Sequence, residues 1–307
     1  MSEARRRCVV FGVLLVLAAP AFAQDAVPQE PGTGEPPQVY PTTEFTEGAT
    51  SAAVTVGNLT ATVTMVPPAD PTVGTLPVLT VAVDDIKVAE ATGAETDFDT
   101  TAARASIAEI DNANDSEEVY FASYSGGAHC CTTVIVVDKV GDQWEVIPVG
   151  DFDGDGDYLE DLDGDGQSEI VTVDNRFLYQ FDSYAASAMA PLVIYGVTDG
   201  QVVDLTTETR FLPNHREWLG EMEAAVAPED RWTSRGFLAG WLGEKIRLGE
   251  GAAAWGEINA NWDFATDEGV EVCTTGGDPE ECAAEDRQTV KFPEGLRLFL
   301  SQNGYVF

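Results

Sequence analysis

The sequence predicts a mainly β N-terminal domain of propeller-blade-like repeats followed by a smaller α-helical C-terminal domain. Three observations carry this. Residues 49–207 alternate β-branched runs with Gly, Pro and Asp punctuation and show no helical period. A segment inside them recurs at a spacing of about 50 residues, within the range of propeller blades. Beyond Thr207 the apolar residues fall three and four apart, as on one face of a helix.

Residues 1–23 have the layout of a secretory signal peptide. Arg5, Arg6 and Arg7 form a cationic start, Val9 to Ala18 an apolar run, and Ala21-Phe22-Ala23 a cleavage signal before Gln24. The apolar run is too short to span a bilayer, so export to the periplasm or the extracellular space is expected. Residues 24–48 hold five prolines between Pro28 and Pro41 and too little apolar surface to offset ordering entropy, which predicts a disordered linker. No later segment of the mature chain is apolar enough to cross a membrane.

Strands are expected at Ala53–Val56, Leu59–Met65, Val78–Val83, Glu118–Tyr124, Thr132–Val137, Trp144–Val149, Ile170–Val173, Phe177–Phe181, Leu192–Tyr195 and Val202–Leu205. These strands define a β-repeat domain over 49–207. The repeat aligns Ile107–Asp111, Glu118–Phe121 and Thr132–Asp138 with Leu159–Asp163, Glu169–Thr172 and Leu192–Tyr195. A helical domain over 208–307 follows. Asn214 with Glu217 reads as a capping box ahead of Trp218, Met222 and Ala225. Phe237 to Ile246 marks a second helix and Ala252 to Trp262 a third. The last starts at Pro293 and stops at Asn303-Gly304.

With 53 acidic and 16 basic residues the chain carries a formal net charge of −37. That field opposes nucleic acid and anionic lipid and suits divalent cations. The most informative stretch is Asp161-Leu-Asp163-Gly-Asp165-Gly-Gln167-Ser-Glu169, which runs into an apolar strand. Carboxylates at positions 1, 3, 5 and 9 supply the oxygens a hard cation needs, and Gly164 and Gly166 permit the tight bend that adds a carbonyl at position 7. Position 12 is Thr172 and the continuation is a strand, unlike an EF-hand. The stretch resembles the calcium loop of FG-GAP and VCBS-type repeats, the blades of integrin-alpha-like propellers. That resemblance implies Ca²⁺ as cofactor, with Asp161, Asp163, Asp165 and Glu169 as side-chain ligands and Gln167 giving its carbonyl.

Upstream, Asp151, Asp153 and Asp155 repeat the first three carboxylates, but position 9 is Leu159. They form either a second, weaker site or a linker lending charge. In the first copy of the repeat, Asp111, Asn112, Asn114, Asp115 and Glu117 occupy the equivalent turn. Lacking the alternation and the glycines, that turn is expected to bind metal poorly.

Ser125-Gly-Gly-Ala-His129-Cys130-Cys131 resembles a Gly-Gly-Ala-His-Cys-Cys signature of uncharacterised bacterial exported proteins. Neighbouring side chains on a strand face opposite ways, so His129 is badly placed to activate Cys130. His129 and Cys131 share a face but make only two metal ligands. Burial or bridging of Cys130 and Cys131 is preferred. The Gly- and Pro-bearing stretch between Cys273 and Cys282 favours a local disulfide in an exported chain. No G-x-S-x-G, H-E-x-x-H or P-loop is present.

The function expected is an exported, Ca²⁺-stabilised binding or structural protein with a protein or glycan ligand. The alternatives are a periplasmic hydrolase with structural calcium and an interdomain site, and a redox or transition-metal protein using His129, Cys130 and Cys131. Oligomeric state is open.

Overall fold

A computed structural model describes residues 39–67, 74–96, 102–127, 131–187, 189–277, 279 and 281–307, all within one compact unit, Pro31–Phe307. The expected signal peptide and most of the proline-rich segment lie outside the described residues, as do His129 and Cys130. The N-terminal two thirds are antiparallel sheet and the remainder mainly helix.

The strands are β1 (Ser51–Val56), β2 (Leu59–Val66), β3 (Leu76–Val83), β4 (Ile86–Thr92), β5 (Ala103–Ala108), β6 (Glu118–Tyr124), β7 (Thr132–Val140), β8 (Gln143–Phe152), β9 (Leu159–Glu160), β10 (Glu169–Val173), β11 (Leu192–Thr198) and β12 (Gln201–Asp204). They form three four-stranded meanders, β1 to β4, β5 to β8 and β9 to β12, each paired in consecutive order. The second and third meanders carry the two copies of the repeat, strand for strand.

Burial patterns explain the stacking. In β2, alternate residues Leu59, Ala61, Val63 and Met65 are buried, as in a sheet with one wet face. They share a core with Ile107, Val119, Phe121 and Val137 of the second meander. The intervening residues of β6, Tyr120 and Ala122, join Ile147, Phe152, Ile170 and Val197 on the opposite side, against the third meander. Covered on both faces, Glu118 to Ser123 are all buried. The far face of the third meander, with Val171, Leu192 and Ile194, packs against the helices.

Those helices are α1 (Tyr184–Ser187), α2 (Leu212–Ala225), α3 (Arg235–Arg247), α4 (Gly251–Asn261) and α5 (Phe292–Gln302), with a β13 (Val270–Cys273) and β14 (Arg287–Val290) hairpin before α5. Ser234 caps α3 by accepting from Phe237 N at 3.3 Å. Near the C-terminus, Tyr305 donates to Asp174 Oδ2 at 2.8 Å and ties the chain end to the residue after β10. No helix among the described residues is long and apolar enough to cross a membrane.

Four local expectations are corrected. Residues 39–48 do not all belong to a linker: Thr43 N donates to Ala105 O and Ile107 N to Pro41 O, so this segment borders β5. Proline cannot donate, yet its carbonyl is enough for an edge. The strand expected at Phe177–Phe181 is instead a 3-10 turn, Asn175–Phe177, followed by a left-handed Tyr179 at φ 61°. Asp174 caps that turn by accepting from Arg176 N. Phe177 and Phe181 both pack edge-on against Phe299, so their spacing answered to the helices rather than to a ladder. α1 supplies one helical turn where none was expected. α2 begins two residues before Asn214, because Pro213 needs no N–H partner in a first turn. Asn214 is then free to donate to Leu162 O at 3.4 Å.

Candidate metal centre

The turn between β9 and β10 wraps around its own carboxylates. Asp161 Oδ1 accepts from Gly164 N at 2.8 Å and Asp165 N at 3.1 Å, and its Oδ2 accepts from Gly166 N at 3.0 Å. Asp163 Oδ1 accepts from Asp165 N, and Asp165 Oδ1 from Gln167 N. Gly164 and Gly166 sit at φ 75° and 92°, left-handed values that a side chain would strain. The result brings ligating oxygens of Asp161, Asp163 and Asp165 within 4.8 Å of one another. Among the described residues, no other group of three or more acids, cysteines or histidines does so.

Glu169 closes the inner end. It is 1% exposed, and its Oε2 accepts from Leu162 N at 2.9 Å. Its Oε1 has no hydrogen-bond partner. Burial pushes this carboxyl up to about 7, and Asp163 and Asp165 add to the rise while the Leu162 N–H and Arg210 oppose it. Arg210, from the turn leading into α2, is the nearest counter-charge. Its Nη1 donates to Asp163 Oδ2 at 2.8 Å and lies 3.6 Å from Asp165 Oδ2 and 3.9 Å from Glu169 Oε1. Nothing in the loop itself foretells this arginine. Gln167 spends its side-chain amide on Ile110 O at 2.7 Å, in the other copy of the turn.

That other turn, between β5 and β6, keeps the same frame with different residues. Glu118 Oε2 accepts from Ile110 N and Asp111 N at 2.7 and 2.8 Å, as Glu169 does from Leu162 N. Asp111 Oδ1 accepts from Ala113 N and Asn114 Oδ1 from Ser116 N, matching Asp163 and Asp165. The positions are therefore held by Asp111, Asn114 and Glu118, and not by Asn112, Asp115 and Glu117. Asp138 on β7 adds a carboxylate whose Oδ1 accepts from Asn114 Nδ2 at 3.0 Å. Ser168 N donates to Glu109 O at 2.8 Å and couples the two turns directly. A buried acid at the end of the apolar run Val134–Val137 was the one signal for Asp138.

The Asp151 run is not gathered into one group. Asp151 Oδ1 accepts from Thr133 Oγ1 at 2.6 Å and Asp153 Oδ2 from Tyr184 OH at 2.6 Å. Asp155 and Asp157 lie 3.4 and 3.7 Å from the Arg104 guanidinium.

Cys273, the last residue of β13, is disulfide-bonded to Cys282 in the segment that connects β13 to β14. Cys131 is disulfide-bonded as well. Its pairing with Cys130 and the role of His129 lie outside the described residues. His215 is buried on α2, with Nδ1 2.5 Å from Glu244 Oε1 and Nε2 2.7 Å from Thr206 O. Glu244 Oε2 accepts from Leu192 N at 3.0 Å, so the pair pins α2 and α3 to β11. Both ring nitrogens are thus engaged within the core.

Chemically, the Asp161 loop offers only oxygen donors, the preference of a hard cation such as Ca²⁺. Residues 215–304, which hold most of α2, all of α3 to α5 and none of the acidic loops, match the family described as sll0997 C-terminal domain. The chain is similar to the probable thylakoid lumen protein sll0997 of Synechocystis sp. (strain ATCC 27184 / PCC 6803 / Kazusa). They are 38% identical over 205 residues, covering 65% of this chain and 60% of that protein. It is also similar to the uncharacterized protein y4bJ of Sinorhizobium fredii (strain NBRC 101917 / NGR234), 37% identical over 216 residues, 70% of this chain and 34% of that one. The chain thus spans less than two thirds of either relative's length. No solved structure matches it.

Proposed function

We propose that the chain is an exported, Ca²⁺-stabilised β-repeat protein acting as a binding or structural module for a protein or glycan ligand. The observation that carries this is the convergence of the Asp161, Asp163 and Asp165 oxygens, with the buried Oε1 of Glu169 accepting no hydrogen bond and facing only Arg210 at 3.9 Å. Those four side chains and the Gln167 carbonyl would hold the ion. Bound there, Ca²⁺ supplies the charge that offsets mutual repulsion of the acids and locks the turn between β9 and β10. Arg210 is the competing cation, and it must yield part of its contact with Asp163. Export is supported by the layout of residues 1–23 and by the printed name of the thylakoid lumen relative.

Chelator-treated mature protein is expected to melt higher when Ca²⁺ is added, and Asp165→Asn to reduce that gain. An unchanged melting temperature with either Ca²⁺ or EDTA would overturn the calcium reading. Protein recovered from the periplasm is expected to begin at Gln24; recovery only from the cytoplasm with Met1 retained would count against export.

A further inference from the structure

The acids around Asp111 pose a harder electrostatic problem than those of the Asp161 loop. Glu118 and Asp138 are fully buried and Asp111 is 1% exposed. One oxygen of each, Asp111 Oδ2, Glu118 Oε1 and Asp138 Oδ2, has no hydrogen-bond partner, and neither has Glu109 Oε1. Asp138 lies close enough to Asp111 to share a proton with it, and Glu118 feels both Asp138 and Glu109. Among the described residues no lysine, arginine or histidine pairs with any of the four.

A buried carboxylate without a counter-charge is costly, so the cluster must be neutralised by protons or by a cation. Shared protons suit a pair of carboxylates. They do not explain why acids from the turn between β5 and β6, from β6 and from β7 are brought near one another while backbone and amide donors hold one oxygen of Asp111, Glu118 and Asp138 and leave the other open. We propose that Glu109, Asp111, Glu118 and Asp138 form a second hard-cation site, distinct from the Asp161 loop and taking Ca²⁺. Asn114 is a positioning residue there: it accepts from Ser116 N and donates to Asp138, which orients that carboxylate. The donor set is oxygen only, which suits Ca²⁺ over Zn²⁺. Its oxygens are spread more widely than those of the Asp161 loop, so bonds of about 2.3–2.6 Å to the ion require the turn to draw in. Poor metal binding by this turn, the expectation from its sequence, is the opposite outcome.

The test is calorimetric titration of CaCl₂ into chelated mature protein, with stoichiometry as the readout. Two ions per chain are expected. Asp165→Asn should leave one ion bound, held by the Asp111 cluster, and Asp138→Asn should leave the other. Loss of all binding in Asp165→Asn overturns the proposal, and that arm stands even if Asp138→Asn fails to fold. Two ions retained in Asp138→Asn also overturn it. Two ions retained in Asp165→Asn defeat the Asp161 site instead and leave this one standing, so the two failures are distinguishable.

Discussion

The turns at 109–118 and 161–169 share a backbone frame and differ in how their charge is answered. The Asp161 turn has the motif, the glycines, an open outer rim and Arg210 at 2.8 Å from Asp163. The Asp111 turn has neither the motif nor an arginine, yet it holds the more deeply buried acids, because β6 and β7 are covered by meanders on both faces. Asp138 accentuates the contrast. It lies one residue beyond the Val119–Val137 pair, where the third meander has Gly196, one beyond the Ile170–Tyr195 pair. Motif strength and electrostatic need therefore run in opposite directions. A loop motif records which oxygens are available; burial decides which of them must find a counter-charge.

The sharpest test of this contrast is truncation in chelator. Glu118→Ala strips the acceptor from two buried backbone N–H groups, Ile110 and Asp111, and is expected to cost about 2–5 kcal/mol in urea unfolding. Glu169→Ala strips one, Leu162, at about 1–3 kcal/mol. Equal losses would erase the distinction between the turns.

A smaller effect concerns pH. Burial, reinforced by Asp138 and Glu109 and opposed by two backbone N–H donors, pushes the Glu118 carboxyl from 4.5 up to about 8. The folded chain then holds that proton more tightly than the unfolded chain. The associated stability is fully present below about pH 4.5 and is lost as pH rises through about 8. Glu169 behaves likewise but only to about 7. Chelated protein should lose stability between these limits as pH rises, and Glu118→Gln should flatten the segment between about 7 and 8 where Glu169→Gln does not. A slope unchanged by Glu118→Gln would break the comparison.

The smallest expected effect is at Arg210. Removing a cation from beside the Asp161 loop with Arg210→Gln should tighten Ca²⁺ binding there by roughly fivefold, the size of a partly solvated charge contact. Binding at the Asp111 cluster should not change. Tightening of both sites equally would mean that Arg210 acts through net charge and not through its contact with Asp163.

Much of the fold was legible. Runs of β-branched residues bounded by Gly, Pro and Asp located β2, β3, β6, β7 and β10, and three-and-four spacing located α2 to α5 within a few residues. β4 was missed because its Lys87 and Glu90 dilute the apolar signal, although Asp84 and Asp85, at φ 50° and 63°, form the two-residue turn that makes the hairpin. The Phe177–Phe181 error has the opposite cause: its aromatics look like strand residues and are held by α5.

By itself the sequence determined the curvature of the Asp161 loop, through glycines at left-handed positions and acids at alternate ones. It also determined the switch from sheet to helix after Thr207, because both are short-range consequences of backbone geometry. Tertiary structure alone decided that Arg210 would reach that loop, and that Glu109, Asp111, Glu118 and Asp138 would be brought near one another. A carboxylate's cost depends on how much water it keeps, and the water is excluded here by meanders stacked on both sides, from segments far apart in the chain.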